Sequence, residues 1–444
     1  MSESKGFRTG RLGRLASLGG MAARLAGGAV ASGAKRVARG RDAALEELHQ
    51  RTARQLLETL GGMKGLPMKV GQILSFMDGV VPPAYQGIYS QALSRLQAKG
   101  DPLPWDKIER VLREELGRPP EEVFARIERE PIAAASIGQV YRAELPSGQA
   151  VAVKVQYPGI ADAIRSDIRN VKTLVKTLQA ALPHVDSDRM AHDFAQRIRD
   201  ELDYSLEAQH QQAFADAWRE DERVIVPAVV HELCTRRVLV TELIEGLTFA
   251  EFVQQGSPEE RSAVGEVLFW FVFRSILQDG RFNADPHPGN YLFPGGGKIC
   301  CLDFGCVQDY DLSAREAFAD LIEATIAGQR GDALWEVISR FLQLGRDTQG
   351  PLREVIEEYL LFCFEPVTAP QPFRYTRDYT RRLSDLTLRA KMRVMRGLFR
   401  TGWRDPQREG LALLSRILFG TNSLLAALEA ERDWRALLLE AAGR

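Results

Sequence analysis

Cysteine and histidine are scarce in this sequence, with five and six residues in a chain of 444. Cys234, Cys300, Cys301, Cys306 and Cys363 show neither CxxC spacing nor the density of a disulfide scaffold, and Cys300 and Cys301 stand side by side in an apolar run. They read as buried thiols in a reducing compartment. His49, His184, His192, His210 and His231 each lack a companion at metal-ligand spacing and read as structural or exposed, so no zinc site is expected. Long apolar runs are missing too. The best, Val264 to Leu277, is interrupted by Glu266 and Arg274 and falls short of the ~18 residues a membrane-spanning helix needs. The apolar part of the N-terminus is broken by Arg24, which argues against a secretory signal. No internal repeat is present. A cytoplasmic protein, peripheral on the inner face of the cell membrane, is the expected setting.

Charge of either sign is almost balanced at a net −1, but unevenly placed. Residues 1–41 hold nine of the 58 Lys/Arg and one of the 59 Asp/Glu, so the rest of the chain carries about −9. A basic arm on an acidic body is expected to touch something anionic. Leu12, Leu15, Leu18 and Leu25 recur near helical spacing among Arg8, Arg11 and Arg14, which reads as an amphipathic segment lying on anionic lipid. Nine glycines in the first forty residues support a disordered tail equally well. The arm has neither interleaved aromatics nor a nucleic-acid fold signature, so membrane outranks DNA or RNA as its partner.

Along the body, composition and periodicity divide the chain into an arm (1–42), a helical extension (43–116), a β-rich lobe with inserted helices (117–245) and a large helical lobe (246–444). Residues Ile137–Glu144 and Gln149–Gln156 flank the turn Leu145-Pro146-Ser147-Gly148, a hairpin signal. Segments 224–231 and 237–243 read as strands. Beyond Gly246 nearly everything reads as helix except a hairpin of Tyr291–Phe293 and Lys298–Leu302. Phe269, Trp270, Phe271 and Phe273 read as core.

The chemistry concentrates in Asn283-Ala-Asp-Pro-His-Pro-Gly-Asn290, which ends thirteen residues before Asp303-Phe-Gly305. Phosphoryl transfer needs a carboxylate beside the acceptor oxygen and hard oxygen ligands for Mg²⁺. Asp285 followed by Asn290, then a D-F-G, has the spacing of the catalytic and metal loops of protein kinases. Val151-Ala152-Val153-Lys154 supplies an ammonium on a strand. It follows Ala133-Ala134-Ala135-Ser136-Ile137-Gly138-Gln139-Val140, the G-x-G-x-x-G-x-V pattern with its first two glycines replaced by alanine. Those methyl groups occupy space that a glycine loop leaves for phosphate oxygens, so nucleotide placement is expected to differ from that of an ordinary kinase. The His-Arg that usually precedes the catalytic aspartate is absent, as is any Ala-Pro-Glu after the D-F-G.

Together with Lys69-Val70-Gly71-Gln72 and Glu201-Leu202-Asp203, these motifs make the chain resemble the UbiB/AarF family of atypical kinases over about 60–310. The resemblance implies an α+β, two-lobed kinase-like fold with a helical N-terminal extension. It implies ATP or ADP with Mg²⁺ as cofactors, and a setting in ubiquinone or related isoprenoid-lipid metabolism, with quinone lipid or its biosynthetic enzymes as partners. Asp285 takes the catalytic-base position, Lys154 contacts the phosphates, and Glu207 is its ion-pair partner. Asn290 and Asp303 hold the metal. Nucleotide contacts fall to Ala133, Ala134, Ala135, Ser136, Gly138, Val140, Ala152, Lys154, Glu242 and Ile244. Lys69 and Gln72 lie on the extension covering the site, tied to Glu201 and Asp203. Those two acids diverge by ~200° on a continuous helix, so the helix must break for both to face one partner, or one must serve the metal. The resemblance leaves three functional readings: an atypical kinase or ATPase, a nucleotide-sensing scaffold without turnover, and a protein kinase. Removal of residues 1–41 should weaken sedimentation with anionic vesicles in a salt-dependent way; equal sedimentation of the truncated chain would reduce the arm to a tail.

Overall fold

A computed structural model describes residues 103–135, 137–162, 164, 196, 199–342, 344, 350–386, 389 and 409–444. The basic arm, Lys69, Gln72 and Ser136 lie outside the described residues, as does the extension up to residue 102. The chain divides into two compact units, one running to Leu202 and one from Asp203 onward.

In the first unit, helix α1 (Trp105–Leu116) is followed by a single turn, α2 (Pro120–Val123). Gly117 ends α1 with φ of 70°, returning its N–H to the Arg113 carbonyl, a left-handed cap that glycine adopts without strain. Then come β1 (Arg126–Ile127), β2 (Ala133–Ala134), β3 (Gly138–Glu144) and β4 (Ala150–Gln156). The expected hairpin is present: β3 and β4 pair antiparallel from Gly138↔Gln156 to Glu144↔Ala150, and β1 and β2 both pair with β3. Period-two alternation sorts the hairpin's side chains onto two faces. Gln139, Tyr141, Ala143, Val151, Val153 and Val155 are buried, and Trp105 of α1 meets Tyr141 edge-on with ring centroids 5.3 Å apart. Ile108, Val111 and Leu112 complete the buried stripe of α1.

In the second unit, α3 (Tyr204–Ala217) begins at Asp203, whose Oδ1 accepts from the Ser205 N–H at 3.2 Å. The helical run therefore breaks between Glu201 and Asp203. The strand expected over 224–231 shrinks to β5 (Val224–Ile225) plus a single bridge from Val229 to Thr241. Pro227 has no N–H to give a ladder, and its carbonyl is taken by the Gln211 amide at 2.6 Å. β6 (Val238–Glu242) carries three buried residues, Val238, Leu239 and Val240.

β7 (Leu247–Thr248) leads into α4 (Phe249–Gln255) and α5 (Pro258–Arg274), each opened by a capping box, Thr248 with Glu251 and Ser257 with Glu260. A π-helical turn, Ser275–Asp279, ends α5 at Gly280. β8 (Arg281–Asn283), β9 (Tyr291–Gly295), β10 (Lys298–Cys301) and β11 (Val307–Asp309) follow. The hairpin expected at 291–302 is β9–β10. It is flanked by β7 and, in parallel, by β5, and a separate ribbon pairs β8 with β11. These short pairings were hidden from a reading of period because two or three residues cannot display one. Helices α6 (Leu312–Ile326), α7 (Gly331–Phe341), α8 (Pro351–Cys363), α9 (Glu365–Thr368), α10 (Glu409–Leu428) and α11 (Trp434–Ala441) follow, with β12 (Phe373–Arg374) paired to β13 (Glu431–Arg432).

The core of this unit is aromatic. Phe269, Phe271 and Phe273 are buried as expected, Trp270 is half-buried against them, and Phe269 meets Trp434 at 5.1 Å. Gly265 lets α5 approach the chain after α10 closely: a Cβ there would stand 2.6 Å from that of Ala430. Gly265→Ala gains helix propensity of at most ~1 kcal/mol but overpacks this contact, at a cost of about 1–3 kcal/mol. The expected net result is a lower urea midpoint with an unchanged slope; an equal or higher midpoint would show that the contact relaxes freely.

Candidate functional site

The expected catalytic and metal loops leave the same end of one ribbon. β8 and β11 pair antiparallel with Asn283 opposite Val307, so the chain after β8 and the Asp303–Gly305 turn before β11 lie side by side. The Ala284 N–H donates to the Cys306 carbonyl at 2.7 Å. Between the loops, the β9–β10 hairpin runs out and back, and the Leu302 N–H donates to the Asn290 carbonyl at 2.9 Å. The structure thus brings Asp285, Asn290 and Asp303 together, with the intervening twelve residues acting as a spacer.

Within the loop, Asn290 Nδ2 donates to the Asp285 carbonyl at 3.0 Å and to its Oδ2 at 3.3 Å. This orients the amide, with Asn290 Oδ1 turned away from Asp285. The Asp285 carbonyl also accepts from the His287 N–H at 2.7 Å, and His287 Nδ1 accepts from the Gly289 N–H at 3.0 Å. His287 therefore shapes the loop. Asn283, buried at 8% exposure, spans the two loops: its Nδ2 donates to the Asp303 carbonyl at 2.5 Å, and its Oδ1 accepts from the Asp285 N–H at 3.0 Å.

Helix α3 lies along the Asp303–Gly305 turn. Glu207 is 4% exposed, and a Cβ built on Gly305 would stand 3.3 Å from Asp303 Oδ1 and 3.8 Å from Glu207 Oε2. Two carboxylates thus border one small space. One turn on, His210 Nδ1 sits 3.2 Å from the Phe304 carbonyl, and one turn further the Phe214 ring lies 5.0 Å from that of Phe304. Residues at i, i+3 and i+7 share a helix face, so one face of α3 is committed to the D-F-G. The Asp303 side chain accepts from the Gly305 N–H at 2.9 Å through Oδ1.

Tyr291 and Cys301 lie under the loops. Burial pushes the Cys301 thiol up to about 12, with Asp303 adding to the effect. Burial likewise raises the Tyr291 hydroxyl well above its ordinary value, with smaller contributions from Cys301 and Asp285. Neither side chain ionises near neutral pH, so neither adds negative charge beside the carboxylates. Cys300 and Cys363 are also buried, Cys234 and Cys306 half-buried, and none forms a disulfide.

Among the described residues no cluster of three or more His, Cys, Asp or Glu side chains forms a self-contained metal cage. Mg²⁺ carried by a nucleotide needs none, because it keeps several waters and takes one or two protein oxygens together with phosphate. The Asp303 carboxylate and Asn290 Oδ1 are a donor set of that kind.

In the first unit, the alanine-rich segment is a tight hairpin: Ala133 faces Val140, Ala134 faces Gln139, and the Ala135 N–H donates to the Gly138 carbonyl at 2.9 Å. Ala133 and Ala134 are exposed. Val140 stands opposite Lys154, and Ala152 lies two residues earlier on the same strand, so Val140, Ala152 and Lys154 share the face opposite the buried one. Glu201 lies in this unit, half-buried beside Leu202, whose carbonyl accepts from the Gln156 amide at 3.1 Å.

In the second unit, Asp203 caps α3 and accepts from Arg236 Nε at 3.1 Å. Glu242 ends β6, with its N–H given to the Ala228 carbonyl at 2.7 Å, and Ile244 follows in the turn toward β7.

Three residues gained no role from the sequence. Asn283 was visible only as the start of a motif. His210 stands at i+3 from Glu207, a signal that points to the same helix face. Gly420 in α10 gave no signal: a Cβ there would stand 2.2 Å from Pro286 Cγ, so α10 backs directly onto the loop that holds Asp285.

A paired-strand ribbon presenting an Asp-x₄-Asn loop beside a D-F-G, with a buried glutamate on the adjoining helix, defines a protein-kinase-like fold. A family model described as the ABC1 atypical kinase-like domain matches residues 95–334. The mitochondrial atypical kinase COQ8B of Rattus norvegicus is 33% identical over 331 residues, covering 73% of this chain and 62% of its own length. The mitochondrial atypical kinase COQ8 of Saccharomyces cerevisiae is 30% identical over 436 residues, covering 96% of this chain and 84% of its own. A solved structure of Rv3197 from Mycobacterium tuberculosis in complex with erythromycin superposes with a TM-score of 0.65 at 32% identity, covering 89% of this chain and 97% of that one. The chain belongs to the ABC1 atypical kinase-like family, also called UbiB/AarF. It spans less than two thirds of the length of the Rattus relative. No described helix is long and apolar enough to cross a membrane.

Gly420→Ala should push the Pro286 side of the loop away from α10, because the added methyl and a rigid proline ring cannot share that space. Faster amide hydrogen exchange over 284–290, with little change in the β3–β4 hairpin, is the expected result; unchanged exchange would show that α10 shifts instead.

Proposed function

We propose that this chain is a Mg²⁺-dependent atypical kinase or ATPase that binds ATP or ADP and serves ubiquinone or related isoprenoid-lipid metabolism at a membrane surface. The observation that carries the reading is the convergence, in the second unit, of buried Glu207 with Asp303 at Gly305, next to a loop in which Asn290 is oriented by Asp285. Hard carboxylate and amide oxygens gathered beside one loop suit nucleotide-bound Mg²⁺, which brings with it the phosphates to be cleaved. Asp303 and Asn290 would hold the metal, Asp285 would take the proton of the attacking hydroxyl or water, and Lys154 and Glu207 keep the roles the resemblance gives them. The lipid setting rests on family membership and on the relatives named atypical kinase COQ8 and COQ8B. Anionic lipid and a quinone precursor or its enzymes are the proposed partners.

A small or lipid acceptor, or water, is favoured over a protein substrate. After Gly305 the chain enters β11 at Val307 and then α6 at Leu312, with Asp311 capping that helix through the Ala314 N–H at 2.8 Å. Those few residues leave no length for the activation loop and peptide platform that a protein kinase builds after its D-F-G.

Thermal unfolding with nucleotide, with and without Mg²⁺, tests the reading. A ligand at 100 times its Kd adds about 2.7 kcal/mol to stability. A Mg²⁺-dependent rise in Tm that Asp303→Asn abolishes is expected. No rise in the wild type would sink the nucleotide reading. A rise without turnover, with or without anionic vesicles and a quinone-precursor mimic, would make the chain a nucleotide-sensing scaffold.

A further inference from the structure

We infer that Asn283 is a positioning residue of this site, whose single amide sets the distance between the loop of Asp285 and the loop of Asp303. The inference rests on the nucleotide and Mg²⁺ reading above and deepens it.

Three observations carry it. First, the two hydrogen bonds of Asn283 end on the backbones of the two residues whose carboxylates do the proposed work: the Asp285 N–H at 3.0 Å and the Asp303 carbonyl at 2.5 Å. A planar amide with donor and acceptor on one carbon fixes both separation and orientation. Second, Asn283 is buried, and its Nδ2 also approaches Cys301 Sγ at 3.7 Å. Loss of the amide would leave both part-buried backbone groups without this partner, which costs more than the same loss at the surface. Third, the ribbon alone leaves the loops less constrained. Beyond Asn283↔Val307 and the Ala284 bond to Cys306, the strand ladder has ended where the Asp285 N–H and the Asp303 carbonyl need partners.

In-line transfer requires the base and the metal carboxylate to be held to within a fraction of an ångström, so a group that sets their spacing acts on the reaction without touching substrate. A purely structural asparagine would hold the fold together, and its loss would be felt in stability alone.

The two roles separate in three variants of the full chain. Asn283→Asp keeps an acceptor for the Asp285 N–H but faces the Asp303 carbonyl with a second acceptor. Asn283→Leu keeps neither bond. Asn283→His carries one donor and one acceptor on a planar ring. For each, the Mg²⁺ concentration giving half the nucleotide-dependent rise in Tm, the rate of nucleotide hydrolysis per folded molecule, and hydrogen exchange over 284–290 and 302–307 of the unliganded chain are measured.

Asn283→Asp and Asn283→Leu should each raise the Mg²⁺ midpoint and lower turnover about tenfold or more, the scale of one lost buried hydrogen bond. Asn283→His should recover part of both. Exchange should rise at both loops in Asn283→Leu and chiefly at 302–307 in Asn283→Asp. Lower thermal stability with an unchanged Mg²⁺ midpoint and turnover would overturn the inference and leave Asn283 a structural residue. A wild type with no Mg²⁺-dependent nucleotide response would instead remove the functional reading, and the inference with it.

Discussion

Carboxylates do not gather in one place unless something else holds them there. Glu207 and Asp303 border the same space at Gly305, and Glu207 is almost fully buried. Backbone bonds, an aromatic core and the amides of Asn283 and Asn290 hold the loops without adding charge. The buried thiol and phenol beneath the loops follow the same rule, since burial keeps both uncharged.

The aromatic core turns that arrangement into a mechanical unit. Phe304, the middle residue of the D-F-G, is fully buried against Phe214 of α3, and Phe214 and Trp218 both pack on Phe271 of α5. Arg274, at the end of α5, stacks over the Trp218 ring at 4.1 Å and donates to the Ala217 carbonyl at 2.9 Å, closing the C-terminal end of α3. The helix bearing Glu207 is thus fixed at both ends, by Asp203 at its start and Arg274 at its finish. Gly420 adds a third support, placing α10 directly behind Pro286. These contacts are dense and non-polar, so small displacements of the loops cost packing as well as hydrogen bonds.

What the sequence made legible was what it encodes locally. The β3–β4 hairpin shows its period and its turn. Asp285, Asn290 and Asp303 stand close enough in sequence for their spacing alone to imply a shared loop. The kinase-like fold followed from these. Hidden features depend on residues far apart in the chain: the pairing of β8 with β11 across Val307 and Asn283, the reach of His210 to Phe304 over 94 positions, and the seat that Gly420 gives Pro286. No local pattern announces such contacts, because each needs only one ordinary residue at the right place. Glu201 and Asp203 fall between these cases. Their spacing left a helix break as one of two ways to serve their partners, and Asp203 does cap α3 rather than continue the helix before it.

The most consequential hidden feature is the ribbon itself. In kinases whose activation loop follows the D-F-G, ordering of that loop decides whether the metal-binding aspartate is in place. Here Val307–Asp309 is tied into a strand pair, and Asp311 is spent on capping α6, so the segment after Gly305 has no second arrangement to adopt without breaking both. The Asp309 carboxylate accepts from Arg281 Nε at 2.6 Å, fastening the far end of the same ribbon. The backbone around Asp303 is therefore held by the fold itself: the ribbon on one side and the cap of α6 beyond it.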